Sequence, residues 1–180
     1  MTSLYVILDR DGVINEDSAD FIKSAEEWQP VPGSLDAIAL LHRHGYQIVV
    51  ITNQSGVARG LFDLETLGEI HAKMLELVRQ AGGDVLKIYF CPHGPDNDCD
   101  CRKPKAGLFR QFAQDYNVDL RQVFAVGDSL RDAQAATLVG AKPILVKTGK
   151  GLQTLENNPQ LQIPVFESLY GAASYITASK

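Results

Sequence analysis

The sequence predicts an α/β fold in which a Rossmann-like parallel sheet carries helices on both faces. Two observations predict it: short apolar runs recur along the chain, and segments with the apolar spacing of helices separate them. Strands that alternate with helices form parallel sheets, and their crossover connections are right-handed. The 180 residues, 45% of them hydrophobic, have the size and apolar content of a single domain over residues 1–180.

Strands are predicted where apolar and β-branched residues cluster, at residues 4–8, 46–51, 85–90, 123–126 and 143–146. Helices are predicted over residues 34–45, 63–82, 105–116, 131–139 and 167–177. We expect Ser34 and Asp63 to cap the first two helices, because their side-chain oxygens can accept a hydrogen bond from a free N–H of the first turn.

The charge balance disfavours nucleic acid and membranes as partners. A formal net charge of −5 leaves no broad basic surface, and no apolar run approaches the ~20 residues that cross a bilayer. The chain runs from Met1 into a strand without a basic leader, so we expect a cytoplasmic protein. No heptad pattern or large apolar stripe remains outside the core, which leaves the oligomeric state open, and a monomer is our expectation.

Acidic and polar residues follow three of the predicted strands. Asp9 and Asp11 come after the first strand, Thr52 and Asn53 after the second, and Asp128 after the fourth. The carboxyl edge of an open parallel sheet holds the ligand crevice, so these side chains are expected to meet there. Clustered carboxylates repel one another unless a cation lies among them, and their hard oxygens favour Mg²⁺. The alternative is that each Asp only caps a helix or forms a turn, but the strings Asp-Arg-Asp-Gly and Gly-Asp after apolar strands favour the metal.

The three cysteines lie close together, with a histidine between them. Cys91, His93, Cys99 and Cys101 offer four ligands, which fill a tetrahedral Zn²⁺ shell and leave no open position for catalysis. Free buried thiols are the alternative, which the Pro- and Gly-containing stretch around them disfavours. We expect a structural zinc loop over residues 91–104 that fixes the neighbouring Arg102 and Lys103.

Four ordered motifs resemble the haloacid dehalogenase superfamily of phosphohydrolases: ILDRDG at 7–12, ITNQSG at 51–56, a lysine at 103 and VGDSLRD at 126–132. Within it, further stretches are similar to the heptose-bisphosphate phosphatases, namely DRDGVIN at 9–15, TNQSGVARG at 52–60, CPH at 91–93, CDCRKP at 99–104 and VKTGKG at 146–151. The resemblance spans residues 4 to 151. It implies a capless haloacid dehalogenase-like fold, the cofactors Mg²⁺ and Zn²⁺, and a small phosphorylated sugar as partner.

The resemblance also assigns roles at the acidic edge. It implies that Mg²⁺ is held by an oxygen of Asp9, the backbone carbonyl of Asp11 and Asp128, and that Thr52 and Lys103 donate to the phosphoryl group. We expect Asp132 to orient Lys103 or a metal-bound water. Chemically, a carboxylate such as Asp9 can attack phosphorus and form an aspartyl-phosphate. Asp11 can protonate the leaving alcohol and then take a proton from water; the sequence leaves its pKa open, since a carboxylate raises it and Mg²⁺ lowers it.

The substrate pocket is expected to be open, because the chain has no room for an inserted cap domain, and to be shaped by loops at 15–24, 53–61 and 91–104. The resemblance places substrate contacts at Asp17, Ser18, Ala19, Asp20, Thr52, Asn53, Gln54, Ser55, Arg102, Lys103 and Ser129. The pair Ala19-Asp20 departs from the Gly-aromatic pair frequent in the heptose phosphatases, which leaves the sugar contacts there open. Arg102 suits the second phosphate of a bisphosphate, because a guanidinium can bind it through two N–H groups.

The resemblance implies hydrolysis of the C7 phosphate of heptose 1,7-bisphosphate, in the synthesis of nucleotide-activated heptose for lipopolysaccharide core; the anomer stays open. A histidinol-phosphate phosphatase is the alternative enzyme, because it shares the fold and a similar zinc loop. A phospho-accepting signalling domain is the alternative of another class, since it also clusters Asp, Thr and Lys with Mg²⁺. Asp11 argues against it, because a second carboxylate there shortens a stored signal.

No catalytic or binding role is predicted for four other conspicuous residues. His42, His44 and His71 are expected on exposed helix surfaces, and Trp28 in a loop. The segment from Lys147 to Gly151 is expected to be a polar loop.

Overall fold

The computed structural model describes residues 2–179, which form a sheet of six parallel strands in the order β3-β2-β1-β4-β5-β6. The strands are β1 Leu4–Leu8, β2 Tyr46–Asn53, β3 Lys87–Cys91, β4 Phe124–Gly127, β5 Lys142–Val146 and β6 Val165–Phe166. The five predicted strands are confirmed. The sixth was not predicted, because two residues are too few to show a periodic pattern.

Six helices connect and follow the strands: α1 Ser34–Arg43, α2 Leu64–Gln80, α3 Gly107–Tyr116, α4 Leu130–Leu138, α5 Gly151–Asn157 and α6 Leu169–Ala178. A 3₁₀ turn at Leu120–Gln122 precedes β4. The polar loop expected from Lys147 to Gly151 runs as a turn to Lys150, and helix α5, which was not predicted, begins at Gly151. It has no apolar stripe to reveal it, because Leu152 is exposed and only Gly151 and Thr154 are buried.

The predicted cap is confirmed for α2 and wrong for α1. The Asp63 carboxylate accepts a hydrogen bond from the Thr66 N–H at 2.8 Å. At α1 the capping position is Gly33, whose φ of +83° is a left-handed conformation that favours glycine. Ser34 is the first helical residue instead, and its hydroxyl donates to the Ile14 carbonyl at 2.6 Å.

Helices cover both faces of the sheet, as the sequence predicts. Alternate residues of a strand point to opposite faces. On β1, Val6 and Leu8 pack in a core with residues of α1, α2 and α6, whereas Ile7 packs in a second core with residues of α3 and α4. None of the helices in residues 2–179 combines the length and apolar character needed to cross a bilayer.

Two of the conspicuous residues are buried. Trp28 lies in the loop between β1 and α1, but its side chain is fully enclosed in the first core. His71 was expected on an exposed surface, and this prediction is wrong: it lies on the inner face of α2 and is 7% exposed. His42 and His44 are exposed, as predicted.

The sheet order brings the motif-bearing segments together. Strand β1 pairs with β2 on one side and with β4 on the other, with Leu8 in register with Val50 and Val126. The residues that follow these strands therefore emerge at one edge, where the strand order reverses and parallel sheets bind ligands.

Candidate active site

Three carboxylates meet at this edge. Carboxylate oxygens of Asp9, Asp128 and Asp132 all lie within 4.8 Å of one another. Asp9 is held at the end of β1, where its N–H donates to the Val126 carbonyl at 2.9 Å. The structure thus brings together Asp9 and Asp128, which are 119 positions apart in the chain.

Burial and mutual repulsion disfavour the charged state of this cluster. Burial, together with the charge of Asp132, raises the pKa of Asp9 well above its usual range, although Lys103 opposes this. Burial and Asp132 also raise the pKa of Asp128 to about 7. A divalent cation removes such repulsion, and hard carboxylate oxygens fit Mg²⁺. Asp9 and Asp128 therefore form a site that suits this ion.

The backbone approaches Asp128 too closely for any residue but glycine. A Cβ atom at Gly12 would lie 2.0 Å from Oδ2 of Asp128, and one at Gly149 would lie 2.4 Å from it. The same Oδ2 accepts the Lys150 N–H at 2.9 Å, and the Thr154 hydroxyl donates to the Asp128 carbonyl at 2.8 Å. Helix α5 and the turn before it therefore hold Asp128 in place.

Lys103 is a buried cation at the centre of the site, only 3% exposed. Its Nζ donates to Asp132 at 2.7 Å, to the Ile51 carbonyl at 2.7 Å and to Asp9 at 3.1 Å. Asp132 thus orients Lys103, one of the two roles expected for it. Burial raises the pKa of Asp132, but the charge of Lys103 together with hydrogen bonds from Lys103 and Ser129 holds the pKa below its ordinary value.

Asn53 fixes the backbone of Lys103. Its side-chain amide donates to the Lys103 carbonyl at 3.1 Å and accepts from the Lys103 N–H at 3.0 Å. The end of β2 and the loop that carries Lys103 are therefore joined directly.

The Asp11 carboxylate is oriented by four N–H groups. Oδ1 accepts from Arg10 Nε at 3.1 Å, Arg10 Nη2 at 2.8 Å and Asn15 Nδ2 at 2.9 Å, and Oδ2 accepts from Gln54 Nε2 at 3.0 Å. Burial raises the pKa of Asp11, but the charge of Arg10 and these hydrogen bonds lower it below its ordinary value. In the resting protein these contacts therefore favour the carboxylate form of Asp11.

A cavity of about 250 Å³ opens onto the carboxylates. The predicted residues that line it are Asp9, Asp11, Asp17, Ser18, Ala19, Asn53, Gln54, Ser55, Arg102, Lys103, Asp128 and Ser129. Two predicted contacts do not line it. Asp20 is exposed to solvent, and Phe21, with a φ of +66°, lines the cavity instead. Thr52 is 1% exposed, and its hydroxyl accepts from Gln54 Nε2 at 2.9 Å.

Three arginines line the cavity, and only Arg102 was predicted from the sequence. Arg59 lies over the Phe21 ring at 5.5 Å, and Arg102 donates to the His93 carbonyl at 3.3 Å. Burial, and then the charges of Arg131 and Arg59, lower the pKa of Arg102, so the three charges interact. Within residues 2–179 none of the three has a carboxylate within 4.0 Å. Arg59 and Arg131 lie inside the motifs TNQSGVARG and VGDSLRD, a signal that could have identified them.

The cysteine and histidine side chains also converge. The Cys91 Sγ lies 3.6 Å from His93 Nδ1 and 3.8 Å from the Cys99 Sγ, and His93 Nδ1 lies 3.3 Å from the Cys101 Sγ. Zn–S and Zn–N bonds of about 2.3 and 2.0 Å in a tetrahedron separate ligand atoms by about 3.5–3.8 Å. The Cys91–Cys101 separation is shorter, 2.8 Å. The donor set and most of the spacings fit zinc, and the chain returns from this cluster to Lys103.

Comparison with known proteins places this site in a class. Residues 100–172 match the family model described as HAD-hydrolase-like. The parallel sheet and the acidic edge with its buried lysine are those of a HAD-like phosphohydrolase. A structure of D,D-heptose 1,7-bisphosphate phosphatase from Bordetella bronchiseptica, complexed with magnesium and phosphate, superposes with a TM-score of 0.95 at 50% identity, over 98% of this chain and 99% of that one.

Curated relatives narrow the class further. The D-glycero-β-D-manno-heptose-1,7-bisphosphate 7-phosphatase of Pseudomonas aeruginosa is 51% identical over 174 residues, which are 97% of this chain and 98% of that protein. The enzyme of the same name from Pseudomonas putida is 53% identical, over 93% of this chain and 96% of that protein. The chain belongs to this family of phosphatases. Membership supports turnover rather than the storage of a phosphoryl signal.

Proposed function

We propose that the protein removes the C7 phosphate from D-glycero-β-D-manno-heptose 1,7-bisphosphate. The observation that carries the proposal is a cavity that joins two anion-binding regions. One is the buried Lys103 beside Asp9. The other contains Arg59, Arg102 and Arg131, which form no ion pair with any residue from 2 to 179. A substrate with two phosphates fits both regions. The names of the relatives supply the sugar, the β anomer and the 7-phosphate.

In the first half-reaction Asp9 is the nucleophile. One of its carboxylate oxygens forms a bond to phosphorus while the bond from phosphorus to the sugar O7 breaks. The carboxyl group of Asp11 gives its proton to O7, because an alkoxide is a poor leaving group. Lys103 donates to the phosphoryl oxygens on which negative charge develops. Thr52, which was expected to be a second donor, does not line the cavity and takes no part in this step.

In the second half-reaction water releases phosphate. The water oxygen forms a bond to phosphorus, its proton passes to the Asp11 carboxylate, and the bond from phosphorus to Asp9 breaks. The donors around Asp11 favour its ionised form, which accepts this proton, and the carboxyl group formed here is the one that protonates O7 in the next turnover.

Mg²⁺ would be held by the Asp9 carboxylate, the backbone carbonyl of Asp11 and the Asp128 carboxylate. When bound, the ion supplies positive charge against the carboxylates and the transferring phosphoryl group.

The affinity for Mg²⁺ is expected to fall as the pH drops below 7. Asp128 has a pKa of about 7 in the metal-free protein, so its proton must leave before the ion binds. The loss is about tenfold per pH unit below 7, and steeper where Asp9 is also protonated. By the same linkage, the free energy of unfolding of the metal-free protein decreases as the pH rises from about 4 to 7, because the native state binds the extra proton. Calorimetric titration with Mg²⁺ between about pH 5.5 and 8.5 measures the affinity. An affinity for Mg²⁺ that does not change with pH below 7 would contradict the prediction.

The three arginines would bind the second phosphate of the substrate. Charge-assisted hydrogen bonds are worth about 1.5–3 kcal/mol, so Arg102→Ala is expected to lower kcat/KM for the bisphosphate by about 10-fold to 150-fold. Arg102→Lys keeps the charge but loses the planar pair of donors, and is expected to restore only part of the activity. The matched control is hydrolysis of p-nitrophenyl phosphate, which has no second phosphate and should change little. Equal losses on both substrates would remove Arg102 from this role.

The proposed function is tested by phosphate release from heptose 1,7-bisphosphate, in both anomers, against histidinol phosphate. We expect the β anomer to be preferred. Preference for histidinol phosphate would favour the alternative enzyme instead, and a phosphoryl-enzyme that lasts minutes without phosphate release would favour a signalling role. The second phosphate distinguishes the two substrates, because histidinol phosphate offers nothing to the three arginines.

We propose that the protein is a single-domain monomer that acts in the cytoplasm. The cysteine cluster supports this compartment, since three cysteines that form no disulfide persist where the environment is reducing. The large exposed apolar side chains support a monomer because they lie on several different elements of the fold, such as Leu64 on α2 and Leu138 on α4.

A further inference from the structure

Arg10 and His71 form a buried pair behind the active site. Arg10 is fully buried, and its Nη1 lies 3.1 Å from Nε2 of His71 on α2. The other edge of the same guanidinium, Nε and Nη2, donates to Asp11. Neither Arg10 nor His71 lines the cavity, so neither touches the substrate.

The geometry determines which ring nitrogen of His71 carries the proton. A guanidinium has only donors, so Nε2 of His71 must accept and the ring proton must be on Nδ1. Burial, followed by the charge of Arg10, lowers the pKa of His71 to about 3, against a weaker opposing effect of Asp11. These are the charged groups that face the ring, and the histidine is neutral at pH 7. The Phe90 ring packs 6.2 Å away, between ring centroids.

A neutral acceptor at this point determines how Arg10 is oriented. With Nη1 bound to His71, the Nε and Nη2 edge faces Oδ1 of Asp11. Without the acceptor, a buried N–H group would lose its partner, which is costly, and the guanidinium would turn to regain one. The orientation of the Asp11 carboxylate would then change with it.

We propose that His71 is a positioning residue, which holds Arg10 and through it the Asp11 carboxylate in the orientation that proton transfer requires. The inference rests on the proposed function, because it concerns Asp11 as the group that protonates the leaving oxygen. It assigns a role in the reaction to a residue of α2 that contacts neither substrate nor Mg²⁺ ligands.

The test compares two leaving groups. His71→Leu removes the acceptor, whereas His71→Gln keeps one in the amide oxygen. A sugar alkoxide needs a proton to leave, and a p-nitrophenolate ion does not. In single-turnover experiments we therefore expect His71→Leu to slow phosphoryl-enzyme formation from the heptose bisphosphate by about 10-fold to 100-fold, within the contribution of a general acid. The p-nitrophenolate burst should stay within about twofold of wild type.

Three further outcomes decide the proposal. Rescue of the sugar reaction by His71→Gln supports it, whereas equal slowing of both substrates, or of neither, overturns it. Nitrogen NMR of the wild-type ring should show Nε2 without a proton near pH 7, and a protonated Nε2 would also overturn it. If wild type did not hydrolyse the heptose bisphosphate, the proposed function would fail separately, and the same comparison would use histidinol phosphate, whose alcohol also needs a proton.

Discussion

Asp9→Asn is expected to abolish phosphate release while the fold remains. Loss of a nucleophile costs about 10⁴-fold or more in kcat, because no other group completes the first half-reaction. Two of the other nearby carboxylates have fixed partners: Asp132 is bound to Lys103, and Asp11 is turned toward Arg10, Asn15 and Gln54. Neither can replace Asp9. The third, Asp128, is held by the Lys150 N–H as a proposed Mg²⁺ ligand, so it is no substitute for Asp9 either. The measurement is phosphate release under saturating Mg²⁺, with covalent phosphoryl-enzyme detected by mass spectrometry.

The control for this variant is Asp36→Asn on the exposed face of α1, which should keep wild-type turnover. The melting temperature of Asp9→Asn without Mg²⁺ should stay close to that of wild type, because the substitution removes a buried charge together with one partner of Lys103. Substantial turnover by Asp9→Asn, or a phosphoryl group on another residue, would show that Asp9 is not the nucleophile.

Removal of zinc is expected to unfold the 91–104 loop and to reduce activity even at saturating Mg²⁺. Structural zinc is worth on the order of 10 kcal/mol in small zinc peptides, which is comparable to the entire stability of a typical domain. Without zinc the loop has few other stabilising contacts, since His93 and most of the residues between Cys91 and Cys99 are exposed. Chelation, or Cys99→Ser, should increase hydrogen exchange in the loop and lower kcat as Lys103 loses its position.

Asp96→Asn is the matched variant, because it changes an exposed residue of the same loop that is not a ligand. It should retain one zinc per chain by elemental analysis and normal activity. The interpretation would be wrong if the chelated protein retained full turnover and unchanged exchange in the loop.

The position of the acidic site could be predicted from the sequence for a physical reason. Parallel strands deliver the residues that follow them to one edge, so Asp9 and Asp128 were expected to meet once β1 and β4 were recognised as strands. The burial of Lys103 had no such local signal. Its assignment depended on the motifs around it, because an isolated lysine is usually solvated.

Other features could not be predicted because their cause is tertiary. His71 was judged by residue type, although it falls on the same helical face as Leu67 and Met74, which should have indicated burial. Helix α5 has no apolar stripe. Its contacts with Asp128 are tertiary, and the sequence pattern does not show them.

The contacts between the segment after β1 and the turn before α5 have a consequence for synthesis of the polypeptide itself. The Thr148 hydroxyl donates to the Gly12 carbonyl at 2.7 Å, and the Lys150 amide binds Asp128. A nascent polypeptide therefore has its catalytic carboxylates long before it has the segment that holds one of them. An incomplete chain that ends before residue 148 would carry every proposed reactive group but lack the segment that holds Asp128, so we expect it to bind Mg²⁺ weakly and to be inactive.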